Sequence, residues 1–102
     1  MKKPLLLDCT LRDGSYAIDF QFSAKFTKEF VGYLSELNFP YVEVGHGIGI
    51  GAHRKYKNAA ATDFEYAEAT QKAVNSKIKW GMFAQPHITT HNDIQKIGRA
   101  HV

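Results

Sequence analysis

Three short apolar runs recur along the chain, and each of them predicts a β-strand. They are Leu5–Asp8, Tyr41–Val44 and Ile78–Phe83. Each run is short and mostly apolar, which is the pattern of a strand buried in a parallel sheet. A glycine-rich stretch from 45 to 51 follows the second run, so we expect that strand to end in a loop.

Stretches with helical spacing separate the predicted strands. Residues 23–37 carry apolar side chains three and four positions apart, which predicts a helix capped by Ser23 or Thr27. Thr62 and Glu65 have the spacing of a capping box, so a second helix is predicted from Thr62. Its predicted apolar face is Phe64, Ala67, Ala73 and Val74. A further helix is predicted to begin near Asn92.

The alternation of strands and helices predicts an α/β fold with a parallel sheet. Such a sheet needs helices on both faces, and this chain offers too few helices to cover both. We therefore expect residues 1–96 to be the truncated N-terminal part of a larger domain. The last six residues, 97–102, resemble the translation of a sequencing adapter, and we expect them not to be native.

The composition is that of an ordinary globular protein, with 44% hydrophobic and 23% charged residues. The net charge of +3 is spread along the chain, and we interpret the one basic cluster, Arg54, Lys55 and Lys57, as a solvated loop and not as a nucleic-acid site. No apolar run in the sequence is long enough to cross a membrane. The single cysteine, Cys9, fits a reducing compartment. We predict a cytoplasmic protein without nucleic-acid or membrane partners.

Charged residues surround the end of the first predicted strand. Asp8 lies on the strand, and Arg12 and Asp13 follow in a turn. Because α/β folds place their chemistry at the carboxyl ends of parallel strands, this cation and carboxylate are candidates for stabilising an enolate oxyanion. Asp13 is a candidate ligand for a hard divalent ion, although a local ion pair with Arg12 is the alternative. Asp8 is expected either to orient Arg12 or to be a buried, hydrogen-bonded carboxylate.

A second polar cluster follows the second predicted strand. Glu43 and His46 lie at its carboxyl end, so in a parallel sheet they open onto the same edge as Arg12 and Asp13. Imidazole titrates near neutral pH, which makes His46 a candidate acid or base. The alternative is a loop histidine that only hydrogen-bonds the backbone.

The segments LLDCTLRDGSYAIDFQF, EVGHGIGIGA and ATDFEYAEA resemble the metal-dependent aldolase and acyl-transferase superfamily. That superfamily includes 4-hydroxy-2-oxovalerate aldolase, hydroxymethylglutaryl-CoA lyase, isopropylmalate synthase and homocitrate synthase, and the chain is most similar to the 4-hydroxy-2-oxovalerate aldolase branch. The similarity covers residues from about Leu5 to Ala69. It implies a (β/α)₈ TIM barrel, of which this chain supplies about three βα units.

The resemblance also implies roles for individual residues. Asp13 is implied to bind a divalent metal, Mn²⁺ or Mg²⁺, and Arg12 to stabilise a pyruvate enolate. Glu43 and His46 are implied to lie at the active-site end of the second strand. Asp8 and Glu43 are our candidates for binding substrate or for supporting the groups that bind it. Family members complete the metal site with a His-x-His pair from a late strand, and no such pair occurs in this sequence. We therefore expect metal only in the full-length parent, and expect this polypeptide alone to be inactive.

Tyr16 departs from the aldolase pattern, in which a histidine acid or base stands two residues after the glycine of TLRDG. A phenol has an ordinary pKa of about 10, which makes it a poor base at neutral pH. Three alternatives follow: Tyr16 takes over this catalytic role with a shifted pKa, His46 takes it over, or the reaction differs from that of the aldolases within the superfamily.

Three functions stay open at this point. The first is an aldolase or lyase that makes or breaks a carbon–carbon bond next to a small 2-oxo acid, from a parent that is oligomeric or paired with an aldehyde dehydrogenase. The second is a Claisen-type, acyl-CoA-dependent synthase of the same superfamily. The third is a small non-catalytic binding module. Cooperative thermal unfolding of the isolated chain as a monomer would support this third function.

Overall fold

The computed structural model describes residues 4–56, 58–75 and 77–101, and for residues 99–101 it describes the backbone only. Its regular elements are β1 (Leu7–Asp8), α1 (Ala24–Glu36), β2 (Tyr41–Val44), α2 (Asp63–Ala73), β3 (Lys79–Met82) and α3 (His91–His101). Short 3₁₀ helices, Asp13–Ile18 and Ala52–Arg54, lie in the loops after β1 and β2. The predicted order of strands and helices is therefore confirmed. The first strand is shorter than predicted, because Leu5 and Leu6 lie outside it.

The three strands form one parallel sheet in the order β1-β2-β3. Leu7 lies opposite Tyr41, and Glu43 lies opposite Gly81. Parallel crossovers are right-handed, so a sheet whose spatial order follows the chain carries its connecting helices on one face. The contact between α1 and α2 agrees with this arrangement. The described part is thus a mixed α/β unit with a small, singly wound parallel sheet.

The core lies between this sheet and the helices. Val42 and Val44 of β2 are fully buried and pack with Val31 and Leu34 of α1 and with Leu11. Alternate residues of a strand point to opposite faces, so Tyr41 and Glu43 point away from that core. Burial of these aliphatic side chains is the main force that holds α1 on the sheet.

The opposite face of the sheet has no helix on it within the part of the chain that the structure describes. Leu7 is 55% exposed and Tyr41 is 37% exposed, and Lys79 on β3 is exposed as well. Parallel sheets are ordinarily covered on both faces. The described residues therefore form one side of a sheet that needs further cover. Among them, none of the helices has the length and apolar character of a membrane span.

Side-chain caps begin the first two helices. Ser23 Oγ accepts a hydrogen bond from the Phe26 amide at 3.0 Å, so Ser23 and not Thr27 caps α1. At α2, Thr62 Oγ1 accepts from the Glu65 amide at 3.1 Å, and Glu65 Oε1 accepts from the Thr62 amide at 3.0 Å. The predicted capping box is confirmed, and each bond satisfies an amide that the helix leaves unpaired.

The predicted apolar face of α2 is correct in part. Ala67 is buried, and Ala73 and Val74 pack against the core, but Phe64 is 49% exposed. Tyr66, which was not in the predicted face, is buried, and its hydroxyl donates to the Phe22 carbonyl at 2.6 Å. A buried phenol requires such a partner.

An ion pair attaches α3 to the loop after β2. Arg54 Nη1 and Nη2 donate to the two carboxylate oxygens of Asp93 at 3.0 and 2.6 Å. Asp93 Oδ2 also accepts from the Thr90 amide at 2.9 Å. The hydrogen bond from Arg54 is the main reason that the pKa of Asp93 lies well below its ordinary value. Residues 97–101 continue α3, and Val102 of the predicted foreign segment lies outside the described residues.

We predict that Thr62→Ala weakens the first turn of α2 by about 1 kcal/mol, because one helical amide loses its acceptor. Hydrogen exchange of the Glu65 amide measures this loss and should be faster in the variant. Thr62→Ser keeps the oxygen and is the control. Equal exchange in all three proteins would contradict the role assigned to the cap.

We predict that the attachment of α3 is lost in acid. A carboxylate with a depressed folded-state pKa contributes stability above its unfolded pKa, about 3.9, and loses that contribution as the pH falls below it. Helical circular dichroism should therefore decrease below about pH 4, and Asp93→Asn should show part of that decrease already at neutral pH. Asp19→Asn changes a carboxylate without such an ion pair and should behave like the native chain.

Candidate functional site

The carboxyl ends of the three strands meet at one edge of the sheet. The loops that follow β1, β2 and β3 bring Arg12, Gly47 and Phe83 together there, around Glu43 of β2. The strands are parallel, so their loops emerge on the same side, as predicted. This strand-end cluster is the candidate site.

Arg12 is the residue that all three strand ends contact. Its Nε donates to Glu43 Oε1 at 2.7 Å, and its Nη1 donates to the Gly47 carbonyl at 3.4 Å. The guanidinium carbon lies 4.5 Å from the centre of the Phe83 ring, a distance at which a cation and an aromatic ring attract each other. The guanidinium is therefore fixed in position before any ligand binds.

The charge of Arg12 is stabilised despite its burial. The side chains of Arg12 and Glu43 are 17% and 18% exposed. Burial disfavours the cation, but the hydrogen bond and negative charge of Glu43 outweigh it and raise the pKa of Arg12. No described residue accepts from Nη2 in the recorded hydrogen bonds. That nitrogen can donate to an anionic ligand.

Asp13 lies beside Arg12 but is open to solvent. Its side chain is 70% exposed, and Oδ1 is 3.7 Å from Arg12 Nη1. It begins the 3₁₀ helix after β1, where its amide donates to the Cys9 carbonyl at 2.8 Å. Within residues 4–56, 58–75 and 77–101, no three His, Cys, Asp or Glu side chains are grouped to hold a metal ion. Asp13 supplies one accessible oxygen donor, which is not a complete metal site.

Asp8 and Tyr16 lie at the margin of the cluster. Asp8 accepts hydrogen bonds from the amide and hydroxyl of Thr10 at 3.0 and 3.2 Å. The carboxylate that orients Arg12 is that of Glu43. Tyr16 is 50% exposed, and its ring meets Phe20 edge to face at 5.0 Å. The Tyr16 side chain is therefore open to solvent.

His46 is buried, in contrast to the exposed loop position that its glycine neighbours suggest. It is 4% exposed, and Phe20 stacks on its ring at 4.3 Å. Its Nδ1 accepts from the Ile48 amide at 3.0 Å. Burial lowers the pKa of His46, and the negative charge of Asp63 opposes that shift only partly. The ring therefore stays neutral at physiological pH.

Two residues of the cluster were not foreseen from the sequence. Phe83 follows β3, and its position at a strand end was the only available signal. Phe20 has no comparable signal, because its position depends on the fold of the loop before α1. It has a positive φ of 63°, directly after Asp19 at 56°, and a bulky residue rarely adopts this conformation.

Close packing explains one glycine of the second cluster. A Cβ on Gly47 would lie 2.8 Å from the Arg12 carbonyl oxygen and 2.9 Å from Phe20, and would also contact Ser15 Oγ. Only glycine lets the loop after β2 approach the loop after β1 this closely. Arg54 of the predicted basic cluster is a separate feature, since it is paired with Asp93, and Lys57 of that cluster lies outside the described residues.

In parallel α/β folds, ligands and catalytic groups are ordinarily found at the carboxyl ends of the strands, and here these ends carry an oriented arginine and an accessible carboxylate. The chain is 43% identical over 75 residues to an oxaloacetate decarboxylase of Mycobacterium tuberculosis. These aligned residues make up 74% of this chain and 22% of that protein. The chain is 35% identical over 96 residues to 4-hydroxy-2-oxovalerate aldolase 2 of Rhodococcus jostii, covering 93% and 28%. A 4-hydroxy-2-oxovalerate aldolase of Pelotomaculum thermopropionicum is 36% identical over 98 residues, covering 95% and 29%.

No family model matches the chain. The similarity to these relatives nevertheless extends over most of its length, and the chain belongs to the aldolase and lyase family that they represent. It spans 22–29% of the length of these relatives. The expected family is thereby confirmed.

We predict that the Arg12–Glu43 contact depends on the carboxylate. Glu43→Leu leaves the buried guanidinium without its acceptor, so the Arg12 Nε proton should exchange with solvent about tenfold faster. Glu43→Gln keeps one oxygen acceptor and should have a smaller effect. Nitrogen-15 NMR of the arginine Nε–H group measures both.

Glu68→Gln provides the matched control for this experiment. Glu68 pairs with Lys72 at 3.0 Å on the exposed face of α2, so its loss should leave Arg12 unchanged. If Glu43→Leu and Glu68→Gln gave the same Arg12 exchange rate, Glu43 would not be what holds Arg12.

Proposed function

We propose that this chain is the N-terminal part of a (β/α)₈ barrel enzyme that cleaves or forms a carbon–carbon bond next to a 2-oxo acid. The observation that carries the proposal is the oriented guanidinium of Arg12 at the carboxyl end of a parallel sheet. The singly wound strand order and the uncovered sheet face support the barrel, because a barrel fills that side with its own interior.

The names of two relatives point to one shared intermediate. One relative is named for oxaloacetate and the others for 4-hydroxy-2-oxovalerate. Both compounds are 2-oxo acids, and cleavage of the C3–C4 bond leaves the bonding electron pair on C3 in each. That pair delocalises into the 2-oxo group and gives the pyruvate enolate. The second product is carbon dioxide from oxaloacetate, or acetaldehyde from 4-hydroxy-2-oxovalerate once its 4-hydroxyl has given its proton to a base, and protonation of the enolate at C3 then gives pyruvate. Stabilising the enolate is the common requirement.

Arg12 meets this requirement with groups that the structure provides. Nε and Nη1 are held by Glu43 and Gly47, so Nη2 can donate to the oxygen on which charge develops. A donor that is oriented in advance and shielded from water stabilises such an oxygen more than water does. Glu43 and Phe83 act on the substrate through Arg12 and not by contact.

For a divalent metal ion, the proposal names one ligand from this chain, Asp13. Bound Mn²⁺ or Mg²⁺ would polarise the 2-oxo group as a Lewis acid, and Asp13 would contribute one oxygen to it. The described residues do not complete such a site. The chain alone is therefore proposed to bind metal weakly and to be inactive, with the missing ligands supplied by the rest of the barrel.

Proton transfer at the site falls to Tyr16 in this proposal. Tyr16 lies in the same loop after β1 as Arg12 and is half exposed, whereas His46 is buried beneath Phe20. An exposed ring in that loop is open to substrate or water, whereas the buried imidazole is not. This position favours Tyr16 over His46 as the group that exchanges a proton with substrate or water.

We predict that, in the product of the complete gene, Arg12→Lys lowers kcat/KM for pyruvate release from 2-oxo acids by about 10²–10³-fold. Lysine keeps the charge but cannot keep both the Glu43 and Gly47 contacts. The assay compares oxaloacetate, 4-hydroxy-2-oxovalerate, and a 2-oxo acid with acetyl-CoA. The isolated 102-residue chain should release no pyruvate.

Arg54→Lys is the matched control, because Arg54 pairs with Asp93 outside the strand-end cluster. Its kcat/KM should be close to that of the unmodified enzyme. If the enzyme turned over only in the presence of acetyl-CoA, the Claisen-type synthase would replace the lyase as its assigned function. Absence of any turnover in the complete protein would favour the binding module.

A further inference from the structure

We infer that His46 is a positioning residue: neutral and protonated at Nε2, it shapes the turn that directs the Gly47 carbonyl at Arg12. This inference rests on the proposed function only for the statement that Arg12 binds the substrate. The geometry of the turn itself is independent of any reaction. In place of the predicted role as acid or base, we infer a role in which His46 acts on the substrate only through Arg12.

The hydrogen bonds of the imidazole define its protonation. Nδ1 accepts from the Ile48 amide at 3.0 Å, so the lone pair of Nδ1 is occupied and its proton must lie elsewhere. In a neutral imidazole that leaves Nε2 as the protonated nitrogen. Nε2 is fully buried and has no hydrogen-bond partner among the described residues. Neither nitrogen offers a free lone pair to a substrate.

The same hydrogen bond closes a tight turn. The Gly49 amide donates to the His46 carbonyl at 3.0 Å, and the Nδ1–Ile48 bond lies inside that turn. A side-chain acceptor for the amide two residues ahead is the geometry by which Asn and Asp stabilise turns. His46 therefore serves as the turn-forming side chain of this loop.

The turn fixes the group that contacts Arg12. Gly47 is the residue between the two ends of the Nδ1–Ile48 bond, and its carbonyl accepts from Arg12 Nη1 at 3.4 Å. A Cβ on Gly47 would lie within 3 Å of the Arg12 carbonyl oxygen and of Phe20, so this side of the Gly47 peptide has little free space. Loss of the turn would release Nη1, while Glu43 would still hold Nε.

Stacking by Phe20 restrains the orientation of the His46 ring. Its ring stacks on His46 at 4.3 Å with an angle of 25° between the planes. The strained, positive φ of Phe20 is retained in this packed arrangement. Stacking and hydrogen bonding are separable contributions, and two substitutions distinguish them.

The test uses the full chain and the variants His46→Asn and His46→Phe. Asn retains an acceptor for the Ile48 amide but loses the ring, whereas Phe retains a ring to stack on Phe20 but loses the acceptor. Nitrogen-15 NMR reports the tautomer of His46, the hydrogen exchange of the Ile48 amide, and the exchange of the Arg12 side-chain protons. The Val42 amide reports whether the core is intact.

We expect the Nε2–H tautomer in the native chain. In His46→Phe the Ile48 amide and the Arg12 Nη protons should exchange about tenfold faster, and in His46→Asn they should stay within about threefold of native. Val42 should keep its protection in both variants. A proton on Nδ1, or native exchange at Ile48 and Arg12 in His46→Phe, would overturn the inference.

Loss of Val42 protection in His46→Asn would also overturn it, because His46 would then be a general core residue. None of these readouts involves substrate, so a failed turn mechanism and a failed lyase assignment are distinguishable. A complete enzyme that lacks lyase activity leaves the tautomer and exchange results standing. Conversely, an active enzyme whose Arg12 is unaffected by His46→Phe retains the proposed function without this positioning residue.

Discussion

The hydrogen bond between Arg12 Nε and Glu43 Oε1, at 2.7 Å, is the interaction on which the site depends. It joins the loop after β1 to the end of β2 with opposite charges that are largely shielded from water. Removing either partner would leave a buried charge unpaired, which is far more costly than the net value of the pair. The position of every other group at the strand ends is defined relative to this guanidinium.

The parallel sheet makes that interaction available. Because β1, β2 and β3 run in the same direction, their following loops converge, and residues distant in sequence lie side by side. The Gly47 carbonyl and the Phe83 ring then contact the same guanidinium from β2 and β3. The fold thus orients a cation by three strands at once, and such orientation in advance is what electrostatic catalysis requires.

The two carboxylates beside Arg12 have different roles because they differ in solvent exposure. Glu43 is shielded and satisfied by Arg12, whereas Asp13 is open to solvent beside the same guanidinium. A shielded carboxylate stabilises structure, and an open one can bind a ligand. The family relationship and the arginine geometry are the two observations that support the proposed chemistry on a small anion. One face of the parallel sheet is uncovered within the described residues.

The sequence by itself determined the order of the elements, the capping box at Thr62 and the family. These properties are local: they depend on hydrophobic spacing, on hydrogen bonds over three residues and on short motifs. It also placed Arg12, Asp13 and Glu43 at strand ends. Only the tertiary structure decided that Glu43 holds Arg12, that Phe20 buries His46 and that Phe64 lies outside the buried side of α2. The physical reason is that burial and pairing depend on contacts between residues far apart in the chain, which local patterns do not record.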